Sequence, residues 1–276
     1  MKNNKILIIS IVVSLCIAGI VIGLAFYNKN PKTESYDIVV FGDSNVGTFR
    51  YDVCAVGQLK ERTGLSTLNA GIGGTTLTGV KNSEADGNPW KYYSMVELSK
   101  AMIKDDFSVQ KAEHPDYYVD FHDGEMDFLK DLLETLSNTD FNQTAFVFIC
   151  HGLNDYLSGM RIQNPEDPYD IYTFEGALRT SIDNLKVAAP NARIILIGAP
   201  YNNVSGDSDT VSTGHGTLPD YLEIEKKIAA EYGITYAPMS GPINADNILE
   251  YSYDGMHYNL EGSSLLADVM YDAMQR

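Results

Sequence analysis

Tyr36-Asp37-Ile38-Val39-Val40-Phe41-Gly42-Asp43-Ser44 is the stretch that decides the fold. Its apolar run has the character of a strand buried on both faces, and Gly42 stops it. A helical pattern follows, with Phe49, Val53, Val56 and Leu59 on one face, so the segment is a β-turn-α unit.

The same alternation extends outward from this unit. Leu65 to Ala70 is a second short strand, ending in the glycine cluster Gly71-Ile72-Gly73-Gly74, where backbone amides can approach a ligand closely. A third strand, Ala145 to Cys150, follows a helix bearing Leu129, Leu132, Leu133 and Leu136. A fourth, Arg193 to Gly198, follows a helix bearing Phe174, Leu178, Ile182 and Leu185 and ended by Pro190. A fifth, Ile234 to Ala237, follows a helix over about 219–232 that stops at Gly233. A last helix, about Glu261 to Gln275, packs Leu265, Val269 and Ala273. Short apolar strands separated by helices imply an α/β domain over 36–276, with a five-stranded parallel sheet covered on both faces. Two stretches fit neither element type, about 77–125 and about 199–218. Ligands of open α/β sheets sit beyond the carboxyl ends of strands, so both are read as walls of a site.

Ahead of this domain, residues 1–5 form a short tail and 6–27 an apolar run without charge, followed by a polar linker over 28–35. At 1.5 Å rise per residue the run is long enough for a ~30 Å hydrocarbon core. It ends in Leu24-Ala25-Phe26-Tyr27 and lacks a small-residue cleavage site, which favours an uncleaved transmembrane signal anchor over a removed signal peptide. The expectation is a single-pass membrane protein with its body outside the cytoplasm.

The chain of 276 residues has 20 Lys+Arg against 37 Asp+Glu, a formal charge of −17. The charged residues of 1–32 are all lysines, so the acid excess falls on the body. That excludes a nucleic-acid binder, which needs clustered Lys and Arg. Cys16, Cys54 and Cys150 are too few for a disulfide framework and show no metal-binding spacing, so no metal and no organic cofactor is expected. A Walker loop, a dinucleotide GxGxxG, a His-Glu-x-x-His and a Gly-x-Ser-x-Gly elbow are all missing.

Four short motifs remain: Gly42-Asp43-Ser44, Asn69-Ala70-Gly71-Ile72-Gly73-Gly74, Gly152-Leu153-Asn154-Asp155 and Asp254-Gly255-Met256-His257. Taken singly, Ser44 would be a helix cap, Asn154 and Asp155 turn residues, and His257 a surface histidine. Taken together they supply what serine catalysis requires: a nucleophile, a base, a group orienting the base and donors for the oxyanion. Ser44 is the candidate nucleophile, His257 its base and Asp254 the group holding the imidazole. The amides of Ser44 and Gly74 and the side chain of Asn154 are the candidate oxyanion donors. His114, His122, His151 and His215 are assigned ordinary structural roles. Tyr169 to Tyr172 and Trp90 are read as packing residues before sugar-stacking ones.

At these motifs the chain resembles the SGNH hydrolases, also called GDSL-type esterases and lipases. Ser44 matches the first family block, Gly74 the second, Asn154 the third, and Asp254 with His257 the Asp-x-x-His block. Asn45 stands in place of the Leu that names the GDSL motif, and Thr75 where an Asp often follows the glycine, so Gly73 competes with Gly74 as donor. The resemblance implies a three-layer, flavodoxin-like fold and a serine esterase acting through an acyl-Ser44 intermediate. An outward-facing anchored enzyme without a long apolar lid is expected to remove short acyl groups, such as O-acetyl, from carbohydrate. Lipid or longer-acyl esters are the second choice. Acyl transfer to a glycan and a non-catalytic glycan-binding module are the remaining alternatives.

Overall fold

The structure, a computed structural model, describes residues 32–47, 54–81, 91–112 and 128–276. The proposed anchor over 6–27, Cys16, Phe49, Val53, Trp90, His114 and His122 all lie outside these residues. No helix among the described residues is long and apolar enough to cross a membrane.

The body, Glu34–Arg276, is built on one sheet of five strands. These are β1 (Ile38–Gly42), β2 (Thr67–Gly71), β3 (Phe146–Cys150), β4 (Arg193–Gly198) and β5 (Thr235–Pro238). All neighbours pair in parallel, in the order β2-β1-β3-β4-β5. Each expected strand is present, shifted by at most two residues. The helices are α1 (Ser44–Gly47), α2 (Ala55–Thr63), α3 (Met95–Lys104), α4 (Ser108–Ala112), α5 (Phe128–Asn138), α6 (Leu153–Leu157), α7 (Phe174–Ala188), α8 (Leu218–Tyr232), α9 (Ile248–Tyr251) and α10 (Leu260–Gln275).

The two-residue period of a strand divides the sheet's side chains between two cores. Val39, Phe41, Val147, Ile149 and Leu196 face a layer containing α3, α5, α7 and α8. Ile38, Val40, Phe148, Ile195 and Ile197 face α2 and α10. This is the three-layer arrangement that continuous apolar strands imply.

Local chemistry sets the helix limits. In α8, Thr217 and Asp220 form a reciprocal capping box, Pro219 lies in the first turn, and Gly233 closes the helix in the left-handed region. In α10 the buried stripe is Leu266, Ala267, Met270, Ala273 and Met274. The expected face of Leu265, Val269 and Ala273 is therefore rotated: Leu265 and Val269 are only partly buried at its edge.

The 77–125 stretch is not all site wall. It contains α3, whose Met95, Val96, Leu98, Ser99, Ala101 and Met102 are buried against α7. Asn184 on α7 donates to Ser99 Oγ at 3.0 Å across that contact.

Sheet order also places the site. The chain runs from β1 outward to β2, then crosses back to β3 on the other side of β1. Gly42 lies in register with Gly71 and with Cys150. The loops leaving β1 and β3 thus diverge at one edge, the switch point where ligands of such sheets bind.

Candidate active site

The segment carrying Asp254 and His257 folds back on itself between α9 and α10. Ser252 and Tyr258 form an antiparallel bridge, and the Tyr253 amide donates to the His257 carbonyl at 2.9 Å. Inside this loop Asp254 Oδ1 accepts the amides of Met256 (2.9 Å) and His257 (2.7 Å). Its other oxygen, Oδ2, lies 2.7 Å from His257 Nδ1. Partial burial pushes the Asp254 carboxyl up, but the bonds from the His257 side chain and the two amides outweigh it and hold the carboxyl below its ordinary range. An ionised Asp254 makes Nδ1 the donor, which leaves Nε2 as the acceptor of a neutral ring.

Gly255 lets this loop lie against a neighbour. Its φ is +85°, and a Cβ there would run into Asn203 Oδ1. The Asn203 amide also donates to the Gly255 carbonyl at 3.2 Å. Asn203, within the 199–218 stretch, therefore packs against the Asp254–His257 loop.

Ser44 is the first residue of α1, half-buried, directly beyond the end of β1. The capping role falls to Asp43, whose Oδ1 accepts the Asn45 amide at 3.0 Å and whose carbonyl accepts the amides of Val46 and Gly47. The ordinary reading of Ser44 as a cap is thereby removed. Asn45 Oδ1 accepts the Tyr258 amide at 3.1 Å, so the turn carrying Ser44 is bound to the residue after His257. Among the described residues no hydrogen bond joins Ser44 to the His257 ring. Nucleophile and base pairs are commonly loose without substrate and tighten when it binds.

The third motif meets the second. Asn154, the second residue of α6, donates from Nδ2 to the Thr75 carbonyl at 2.9 Å, which sets its side chain beside Gly74. Gly74 has φ +77° and is half-buried. One Nδ2 hydrogen is used in that bond and the second remains to be directed elsewhere.

Buried ionisable groups support this region. Asp155 is fully buried and is no ordinary turn residue: its two oxygens accept the amides of Leu77 (2.8 Å) and Thr78 (3.0 Å). Burial raises its carboxyl, and those two amides oppose the rise. An acid beside the Asn after β3 is the sequence signal. The partner amides lie 78 and 77 residues away, beyond the reach of any local pattern. His151 is buried with Nε2 3.4 Å from Thr75 Oγ1, and desolvation lowers it to about 3, so its ring is neutral. Glu225, in the middle of α8, is wholly buried beneath Gly152, where a Cβ would stand 2.9 Å from its Oε1. Burial pushes that carboxyl well above its ordinary range. Nothing local marks Glu225, because its environment comes from the ends of β3 and β4. Asp43 belongs with these groups: desolvation pushes its carboxyl up to about 7, against the pull of the Asn45 amide and nearby His257.

Cys54 and Cys150 are free thiols; Cys54 caps α2, its sulfur accepting the Gly57 amide. No cluster of three or more metal-ligating side chains occurs among the described residues.

No curated protein matches the sequence at a significant level. Solved structures of similar fold include a protein from Lactobacillus plantarum with 18% identity and a TM-score of 0.59, covering 88% of this chain and 98% of that one. A possible lipase from Chitinophaga pinensis has 13% identity and a TM-score of 0.56, covering 87% of this chain and 98% of that one. A carbohydrate acetylesterase from Sinorhizobium meliloti has 15% identity and a TM-score of 0.54, covering 88% and 99%. At such identities the likeness shows the fold. The sequence itself matches the GDSL-like Lipase/Acylhydrolase family over residues 40–265, which span all four motifs. The chain belongs to that family and is an ester-hydrolysing enzyme.

Proposed function

We propose that this enzyme removes short acyl groups, of the O-acetyl kind, from carbohydrate through an acyl-Ser44 intermediate. The observation that carries the mechanism is the Asp254–His257 pair, with its Nδ1 contact of 2.7 Å, on a loop bound to the turn of Ser44. His257 Nε2 takes the Ser44 proton as Oγ attacks the acyl carbonyl. The amides of Ser44 and Gly74 and the second Nδ2 hydrogen of Asn154 receive the oxyanion, where such donors act on charge that develops only in the transition state. Collapse expels the sugar alcohol, which takes its proton from His257. Water then attacks the acyl-enzyme with His257 as base, and Ser44 is restored.

Two features support the substrate class. The His257 side chain is 31% exposed, and the exposed wall beside it, Asn203 to Asp207, carries Asn203, Ser205 and Asp207, with Val204 its one large apolar side chain. Such a surface suits an acceptor bearing hydroxyls better than an acyl chain needing apolar cover. The fold is also that of an enzyme named as a carbohydrate acetylesterase.

Activity on p-nitrophenyl acetate is expected to exceed that on the octanoate ester, and acetylated oligosaccharides are expected to release acetate. A preference for octanoate would overturn the short-acyl reading in favour of lipid esters. Asn154→Ala is expected to lower kcat by about 10²–10³-fold, the usual effect of losing one oxyanion donor. A kcat within two-fold of wild type would remove Asn154 from that role.

A further inference from the structure

We infer that Asn45 is a positioning residue for ester hydrolysis: its carboxamide bridges the turn that presents the nucleophile and the loop that presents the base. This inference rests on the serine mechanism proposed above.

The bonds within the Asp254 loop orient the His257 ring relative to its own backbone. They leave open where that loop stands relative to Ser44. Among the described residues, one hydrogen bond joins residues 43–47 to residues 252–259, from the Tyr258 amide to Asn45 Oδ1 at 3.1 Å. Tyr258 is 3% exposed, so its amide needs an acceptor, which Asn45 supplies. At its other end Asn45 is itself held, its amide donating to Asp43 Oδ1 at 3.0 Å. The connection thus runs from the end of β1 through Asp43 and Asn45 to the residue after His257, and each member is tied at both sides.

A second observation concerns the other end of the same carboxamide. Asn45 Nδ2 is buried and has no hydrogen-bond partner among the described residues of the protein, beside a cavity lined by Asp43, Cys150, His151, Gly198 and Tyr258. An apolar side chain of similar size would fill the same space. That side chain would lack the acceptor for Tyr258. Among the described residues, the carboxamide's one hydrogen bond within the protein is thus the one to the Tyr258 amide.

Three variants separate the acceptor from the volume. Asn45→Leu and Asn45→Ala both remove the acceptor, one retaining bulk and one not, while Asn45→Asp retains an oxygen in the same place. On p-nitrophenyl acetate, Asn45→Leu and Asn45→Ala are expected to lose roughly 10–100-fold in kcat with KM within about two-fold, the effect of a small misplacement of reacting groups. The midpoint of their pH profiles is expected to stay at the wild-type value, because the Asp254–His257 pair is untouched. Asn45→Asp is expected to recover most of the loss. Should one acceptor-free variant fail to fold, the other gives the comparison. A kcat within two-fold of wild type in the folded acceptor-free variants, with Ser44→Ala inactive, would overturn the positioning role and leave the serine mechanism standing. Equal losses in all three variants would also overturn it, since the acceptor would then be irrelevant. Wild-type turnover in Ser44→Ala would instead overturn the serine mechanism, and this inference with it.

Discussion

Ser44→Ala is expected to reduce turnover of p-nitrophenyl acetate by at least about 10⁴-fold, to the remnant of activity that binding and the oxyanion donors sustain. The protein should stay folded, because Ser44 opens a short helix, is only half-buried, and is not the cap of that helix, a role held by Asp43. His257→Ala is expected to lose a comparable factor. The double variant should be no worse than either single one, since residues that act as a unit are not additive. Circular dichroism and thermal unfolding of each variant control for structure. Wild-type rates in a folded Ser44→Ala protein would end the serine-esterase reading.

The second large effect concerns stability. The Asp43 carboxyl, raised by burial from its ordinary 3.8 to about 7, is a liability of the folded state at neutral pH. Well below pH 3.8 it is protonated in both folded and unfolded chains and costs nothing. As pH rises from 4 to 7 the unfolded chain releases this proton freely and the folded one resists, so stability falls through that window and levels off above it. At about 1.4 kcal/mol per pH unit, the fall attributable to Asp43 is ~4 kcal/mol. The substitution Asp43→Asn keeps a side-chain acceptor for the Asn45 amide and removes the ionisable group. The variant's unfolding free energy relative to wild type is therefore expected to rise by roughly that amount between pH 4 and pH 8, measured by urea unfolding at each pH. A difference independent of pH would show that Asp43 does not titrate in this range.

Much of the fold is legible because it rests on local patterns. β1 and β3 are runs of apolar residues too short for helices, and α8 carries its own start and stop in Thr217, Asp220 and Gly233. The α10 face is ambiguous in sequence because Leu265, Leu266, Val269 and Met270 offer two adjacent apolar stripes, and only the helix's seat on the sheet chooses between them. Helix α3 is hidden inside a stretch read as wall, although its six buried residues recur with helical spacing.

The candidate site divides the same way. Residue types and local spacing mark Ser44, Asp254 and His257, since Asp254 reaches the His257 ring within one loop and the contact needs no distant partner. They also mark the glycine cluster and Asn154 as candidate oxyanion donors. What joins them is long-range: Asn154 to Thr75 across 79 residues, Asp155 to Leu77 across 78, and Asn45 to Tyr258 across 213. By itself the sequence determined the α/β class, the five strands in order, and the residues that are candidates for a serine nucleophile, its base and the acid beside it. Only the tertiary structure decided that Asp155 supports the loop after Ile72, that Glu225 lies beneath Gly152, and that Asn45 links the turn of Ser44 to the loop of His257. A hydrogen bond between loops depends on where parallel strands end relative to one another, and that register is settled by packing of the whole sheet.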